Sequence, residues 1–207
     1  MVDSQSQTSL FAPEKQVLGL PDADIEYQPG YLVDDQAWAL YDTLLAETDW
    51  QQERITLYGK THDVPRLSCW MGDAGLDYGY SNMRMQVVPW NQELRALQQQ
   101  LRCDTGHPFN SVLVNLYRDG QDSNGWHSDD EPELGTNPVI ASVSLGAARD
   151  FHLRHKTRKD LRQSISLEHG SLLLMSGTTQ HCWQHHVPKR AQAAQRINLT
   201  FRYVDNR

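Results

Sequence analysis

The chain of 207 residues has only three cysteines, Cys69, Cys103 and Cys182, and none belongs to a Cys-x-x-Cys pair. Odd in number and far apart, they read as reduced thiols of a cytosolic or nuclear protein rather than as a disulfide framework. No run of about 18 apolar residues is present, so no membrane span and no membrane partner are expected. The opening residues Met1–Gln7 lack the basic region and apolar stretch of a signal peptide. Basic residues are scarce over the first two thirds. Residues 1–70 hold 4 basic and 12 acidic side chains, and residues 71–140 hold 4 and 10. The last third reverses this, with 11 basic and 4 acidic. An acidic total, net charge −7, therefore conceals a C-terminal third able to offer a positive face.

The length suits one domain with a full core, expected as a monomer. Residues 1–15 are polar and aperiodic and read as a disordered tail. The remainder, 16–207, reads as one domain, with helical support in 16–105 and strands in 106–207. Asp34 or Asp35 is placed to cap a helix running to Glu47, with Ala37, Leu40, Tyr41, Leu44 and Leu45 on one face. Pro89 is placed to open a second helix with Leu94, Leu97 and Leu101 as its buried stripe, ending before Asp104. Strand-like runs follow at 110–117, 138–146, 149–155, 163–168, 171–176, 181–187 and 195–204. Two helices and then many short strands predict a mostly β (α+β) fold, a β-sandwich or jelly roll braced by the helices.

Two side chains two residues apart in an extended segment point to the same face. His127 and Asp129 can thus present a histidine and a carboxylate side by side. Two histidines and one carboxylate form the ligand set of a non-haem Fe(II) site with open positions, although zinc accepts the same ligands. The second histidine must come from elsewhere, and His181, His185 and His186 are the candidates. His185 and His186 face opposite sides of a strand, so at most one points inward.

The run 195–204 alternates cleanly. Ile197, Leu199, Phe201 and Tyr203 share one face, and Arg196, Asn198, Thr200 and Arg202 the other. Two arginines six residues apart are separated by roughly 20 Å along a strand, and side chains leaning toward each other could span most of that gap and grip a short dicarboxylate at both ends. The planar fork of arginine pairs with carboxylates through two parallel bonds. Asn115 and Tyr117, also two apart, add an amide and a phenol. Arg154, Lys156, Arg158 and Lys159 belong to a dense basic segment, Arg149 to Arg162, that reads either as a solvated hairpin or as a lip contacting nucleic-acid phosphates.

Seven segments, Val64–Arg66, Gly72–Ser81, Phe109–Tyr117, His127–Glu131 (HSDDE), His169–Leu173, Trp183–Pro188 (WQHHVP) and Arg196–Arg202 (RINLTFR), occur in an order that resembles the AlkB family of Fe(II)- and 2-oxoglutarate-dependent nucleic-acid dealkylases. The resemblance is nearest to the branch containing human homologues two and three. It implies a double-stranded β-helix (jelly-roll) core as the catalytic part in 106–207, a nucleotide-recognition lid within 16–105, and His127, Asp129 and His185 as iron ligands. It implies Arg202 and Asn115 at the carboxylate of 2-oxoglutarate next to the iron, Arg196 and Tyr117 at the far carboxylate, and Asn198 and Thr200 lining the site. The implied reaction consumes 2-oxoglutarate and O₂ and removes methyl groups from N1-methyladenine and N3-methylcytosine in DNA, single- or double-stranded, and in RNA, releasing aldehyde. A base must be flipped out or single-stranded to reach such a centre. The resemblance places Tyr78, Tyr80 and Ser81 at the base pocket and Arg66, Asp130 and Glu131 on its polar side, where carboxylates suit a cationic base. Asp130 and Glu131 also read simply as a turn. Tyr58 aligns with an aromatic wedge that fills the gap left by a flipped base. The same iron centre would equally serve a hydroxylase of protein or small-molecule substrates.

Overall fold

The computed structural model describes residues 14–57, 59–76, 79–80, 83–84 and 87–205, with backbone alone at 57, 79–80 and 83–84. In chain order the elements are β1 (Gln16–Val17), β2 (Asp24–Gln28), α1 (Asp34–Glu47), β3 (Arg54–Leu57), β4 (Lys60–Asp63), β5 (Leu67–Gly72), β6 (Gly79–Tyr80), β7 (Met83–Arg84), β8 (Val88–Pro89) and α2 (Gln92–Thr105). There follow β9 (Ser111–Tyr117), β10 (Asn124–His127), a 3-10 turn (Pro132–Leu134), β11 (Ile140–Gly146), β12 (Arg149–His155), β13 (Arg162–Leu167), β14 (Ser171–Ser176), α3 (Thr179–Cys182), β15 (Trp183–Val187) and β16 (Arg196–Arg202). The architecture is mostly β, with a large eight-stranded sheet in the order β1-β2-β14-β11-β16-β9-β5-β8. A second sheet has four strands, β10-β15-β12-β13.

The alternation along β16 explains how the layers stack. Ile197, Leu199 and Phe201 join one apolar cluster with Leu40, Leu44, Leu94, Leu97 and Leu101, so that face of the large sheet lies under α1 and α2. Burying each such side chain contributes about 1.5–3 kcal/mol. The opposite face looks toward the four-stranded sheet. Leu113 and Met175 there share a second cluster with Phe151, Leu153, Leu167 and Val187 of the smaller sheet. The polar side of β16 is thus enclosed between two sheets, and all seven of its residues are buried. Tyr203 leaves the pattern. The strand ends at Arg202, Tyr203 is 47% exposed and Val204 turns inward instead.

Both helices form where periodicity places them, with different ends. Val33 precedes α1 with no side-chain cap, and Asp34 and Asp35 sit in the first turn, where carboxylates meet the positive end of the helix. Asn91 caps α2 by accepting from the Leu94 amide at 2.8 Å, while Pro89 pairs with Gly72 in a parallel bridge. Gly106 ends α2 at φ 75°, a left-handed conformation that glycine adopts without penalty.

The first half carries strands that the two-helix reading omits. β2 lies against β14 and β5 against β9, both extending the large sheet. Residues 1–13 of the expected tail lie outside the described residues, but Lys15 is tied to Glu26 by an ion pair of 2.8 Å and strand begins at Gln16. The start of the run 181–187 is also different, because Thr179–Cys182 form a helical turn before β15. Among the described residues no helix is long and apolar enough to cross a membrane.

Candidate metal centre and dicarboxylate cradle

β10 and β15 are antiparallel neighbours, and their register sets His127 directly opposite His185. The two rings lie 4.2 Å apart at 67°. Asp129 follows two residues after His127. Its Oδ1 is 3.8 Å from His127 Nε2, and its Oδ2 is 4.0 Å from His185 Nε2. These separations are too long for hydrogen bonds, yet all three ligand atoms lie within 4.8 Å of one another and could hold one metal ion. His127 Nδ1 lies 2.7 Å from the Gly125 carbonyl. A carbonyl only accepts, so Nδ1 carries the proton and Nε2 presents its lone pair to the cluster.

The charge states suit metal ligation. Burial alone would raise the Asp129 carboxyl, but the Arg202 guanidinium and then the two histidines outweigh it and hold it at about 2. Burial, reinforced by the charge of His127, pushes His185 down to about 3, and burial also lowers His127. Near neutral pH the cluster is an ionised carboxylate between two neutral imidazoles, the form a metal requires. Phe151 stacks on His185 at 5.0 Å and fixes its ring. His186 faces the other way, stacked on Trp126 at 3.9 Å and 3.2 Å from His152. His181 is exposed and directs its ring to the Thr136 carbonyl.

The enclosed polar face of the large sheet supplies the rest of the cavity. Asn115, Tyr117, Arg196, Asn198, Thr200 and Arg202 all line it together with the His–Asp–His cluster. Register places Arg196 beside Tyr117 and Asn198 beside Asn115. Arg202 donates from Nη2 to Asp129 Oδ1 at 3.0 Å, joining the cradle to the cluster. Arg196 lies at the other end of the strand, only 1% exposed. Its Nη2 donates to Ser144 Oγ at 3.0 Å and its guanidinium sits 5.1 Å from the Tyr117 ring centre. Arg196 Nε and Nη1 have no hydrogen-bond partner among the described residues. Burial lowers its pKa to about 10, which leaves it cationic at neutral pH. A buried cation with unsatisfied donors is costly unless an anion joins it. The donor set thus fits an acid with one carboxylate near Arg202 and another near Arg196.

Several neighbours escape sequence reasoning. Ser142 and Ser144 of β11 receive Asn198 and Arg196 at 2.8 and 3.0 Å. Their alternation with Ala141, Val143 and Leu145 was the available signal. Gln180 accepts from the Asp129 amide at 3.0 Å, and Asn124 brings its amide nitrogen to 3.3 Å from His127 Nε2. Neither has a local sequence signature.

The residues expected around a base are placed less uniformly. Tyr58, Tyr78 and Ser81 lie outside the described residues, as does the side chain of Tyr80, whose backbone belongs to β6. Arg66 is buried at 5% exposure and gives its Nε proton to Asn115 Oδ1 at 2.8 Å, so it faces the Asn115 amide rather than an open pocket. Asp130 is exposed and paired with Lys156 at 2.9 Å. Glu131 begins the 3-10 turn, its carbonyl accepting from Leu134. Within the basic segment Arg149 is not on the surface. It is 1% exposed, with Nη2 donating to the carbonyls of Asp122 and Pro188 at 2.9 and 2.6 Å. Arg158 pairs with Asp22, and Arg154 lies 4.2 Å over the Trp126 ring while donating to Gln184. Arg154, Lys156, Lys159 and Arg162 line one cleft on the β12–β13 hairpin.

Comparison with known proteins agrees with this geometry. Residues 24–202 match the family described as the 2OG-Fe(II) oxygenase superfamily. The chain is 43% identical over 186 residues to alpha-ketoglutarate-dependent dioxygenase alkB homolog 3 of Bos taurus, an alignment covering 85% of this chain and 64% of that protein. It is 36% identical over 236 residues to DNA oxidative demethylase ALKBH2 of Arabidopsis thaliana, covering 99% of this chain and 74% of the relative. The chain spans less than two thirds of the length of the homolog 3 proteins it matches. Among solved structures, one titled "The structure of OsALKBH1" superposes with a TM-score of 0.53 at 19% identity, covering 86% of this chain and 96% of the other, a likeness of fold.

Proposed function

The chain belongs to the AlkB family within the 2OG-Fe(II) oxygenase superfamily, and we propose on that basis that it is an oxidative demethylase of N-alkylated bases in DNA. The two sheets are read as a double-stranded β-helix and 16–207 as one catalytic domain. The observation that carries the proposal is that a His–Asp–His cluster and a buried arginine, Arg196, whose Nε and Nη1 have no hydrogen-bond partner among the described residues, line the same enclosed cavity.

His127, Asp129 and His185 are the residues that would hold Fe(II). Arg202 and Asn115 would meet the near carboxylate of 2-oxoglutarate, and Arg196 and Tyr117 the far one. Iron held there would supply the oxygen activation that couples decarboxylation of 2-oxoglutarate, to succinate and CO₂, with hydroxylation of the alkyl group, whose hydroxylated adduct would release aldehyde and leave the unalkylated base in the strand. The protein's own contributions are positional and electrostatic. Arg202 keeps Asp129 ionised and oriented. Burial keeps His185 neutral, so no proton competes with the metal near neutral pH. Ser144 and the Tyr117 ring fix the Arg196 fork before the acid arrives, and a pre-set fork loses less entropy on binding.

N1-methyladenine and N3-methylcytosine are cationic, and Asp130, beside the cluster, is the carboxylate proposed to read that charge. For Asp130 to do so, Lys156 must yield its place. Alkylated DNA, single- or double-stranded, is the proposed partner, and RNA carries the same bases. The test is succinate release with and without a methylated oligonucleotide, alongside mass analysis of the base. Stimulation with loss of the methyl group supports the proposal. Turnover that no methylated nucleic acid stimulates would redirect it to a 2-oxoglutarate-dependent hydroxylase of protein or small-molecule substrates.

A further inference from the structure

One buried guanidinium serves both halves of the cavity. Arg66, between β4 and β5, donates from Nε to Asn115 Oδ1 at 2.8 Å and from Nη1 to Asn124 Oδ1 at 3.2 Å. Guanidinium N–H groups can only donate. Both asparagines must therefore present their oxygens to Arg66, which leaves both amide NH₂ groups for other acceptors. Both asparagines line the cavity that holds the cluster and Arg196. The Asn124 NH₂ lies 3.3 Å from His127 Nε2, whose lone pair it meets because Nδ1 carries the ring proton. A metal ion would take that lone pair. The Asn124 amide would then have to donate elsewhere in the same cavity, where the oxygens of a bound acid would join those of Asp129 and Thr200 as acceptors.

We propose that Arg66 is a positioning residue that locks the amides of Asn115 and Asn124 with their N–H donors toward the cavity, and that Asn124 is a further hydrogen-bond donor to the 2-oxoglutarate held there. The inference rests on the proposed function above. Pro65 helps to seat the guanidinium, because its carbonyl accepts from the Ser123 amide at 2.9 Å and so ties the Arg66 segment to the loop that carries Asn124. Without Arg66 each amide is free to rotate by half a turn and offer oxygen to an anion, which is repulsive.

The test uses Mn(II) as a redox-stable probe in the full chain. Calorimetry measures Mn(II) affinity, and then 2-oxoglutarate affinity at saturating Mn(II). The proteins are the wild type, Arg66→Gln, Arg66→Lys, Asn115→Ala, Asn124→Leu and the double variant Arg66→Gln/Asn115→Ala. Arg66→Gln is expected to weaken 2-oxoglutarate by about 10–100-fold, the range for outer partners of a metal site. Arg66→Lys, with one compact donor group in place of a fork, should recover part of that loss. Because Arg66 acts on the acid through Asn115 and Asn124, the double variant should bind little worse than the weaker single one, Arg66→Gln, and Asn124→Leu should lose several-fold on its own. Arg66→Gln binding as tightly as wild type, or losses at Arg66 and Asn115 that multiply in full, would overturn the inference. If Arg66→Gln does not fold, Asn124→Leu decides, since it retains Arg66 and Asn115: unchanged 2-oxoglutarate affinity there overturns it. A wild type that fails to bind 2-oxoglutarate with Mn(II) would instead sink the proposed function itself.

Discussion

Arg202 and Asp129 meet at 3.0 Å, and both are almost fully buried, at 4% and 1% exposure. The carboxylate proposed as a metal ligand is therefore also the counter-ion of a cradle arginine. Asp129→Ala should remove metal binding and turnover, and it should also destabilise the metal-free protein. Breaking one side of a buried pair typically costs about 3–5 kcal/mol. Asp129→Asn, which retains an oxygen for Arg202, should lose the metal with a smaller stability penalty. Urea unfolding of the metal-free proteins measures both. An Asp129→Ala protein as stable as wild type would show that the pair contributes nothing to the fold.

Arg196 presents the opposite case. Its Nε and Nη1 have no hydrogen-bond partner among the described residues, so under the proposed function it would serve the ligand more than the scaffold. Arg196→Met should keep or raise the melting temperature without 2-oxoglutarate, while the 2-oxoglutarate requirement rises about 100-fold or more, the equivalent of roughly 3 kcal/mol. An unchanged requirement would mean that no carboxylate meets Arg196.

Acid should weaken the metal-free protein in a defined order. The folded-state pKa of His185 is about 3, below the ordinary value of 6.5. The unfolded chain thus takes up a proton that the folded chain refuses, and stability present above pH 6.5 is lost as pH falls toward 3. The slope from this one group is at most about 1.4 kcal/mol per pH unit. Asp129, about 2 when folded against 3.8, adds loss in the same direction below pH 3.8. His185→Gln should flatten the fall between pH 6 and 4 in unfolding experiments at fixed ionic strength, and identical slopes would contradict the buried neutral imidazole.

Asp130 and Lys156 form a partly exposed pair, of a kind worth roughly 0–1 kcal/mol. Asp130→Ala should leave stability within that range and weaken repair of N1-methyladenine and N3-methylcytosine, while succinate release without DNA persists. In the neighbouring cleft, Lys159→Ala and Arg162→Ala should weaken binding of all sequences alike, each lowering the salt slope by about one unit. Repair assays across a salt series separate the two behaviours. If Asp130→Ala repairs both lesions as wild type does, the carboxylate does not read the base.

What the sequence reveals about this fold follows local pattern. Helical periodicity locates α1 and α2, each of which buries one stripe, strand-like runs between turn residues locate β9, β11, β12 and β14, and clean alternation locates β16. Short strands in the first half, such as Asp24–Gln28, were missed since five residues hold too little alternation to stand out from loop. The arginines of β16 stand out because two of them share the polar face of a cleanly alternating run. Asn124 and Gln180 do not, because their placement depends on elements far apart in the chain, and Arg66 is reached only through the family resemblance, which sets it at the base pocket rather than against Asn115. The basic segment was legible as charge but not as contacts, and Arg149 proved to be an interior staple between the 119–122 loop and Pro188.

Two of the three cluster residues, His127 and His185, belong to the four-stranded sheet, whereas the arginines and amides of the cradle sit chiefly on the eight-stranded one. Metal and acid, bound together, would act as a removable rivet between the two halves of the sandwich. Loading should slow amide exchange in β10 and β15 as well as in β16, out to strands that touch neither ligand. The protein's resistance to unfolding would then report how much cosubstrate its surroundings contain.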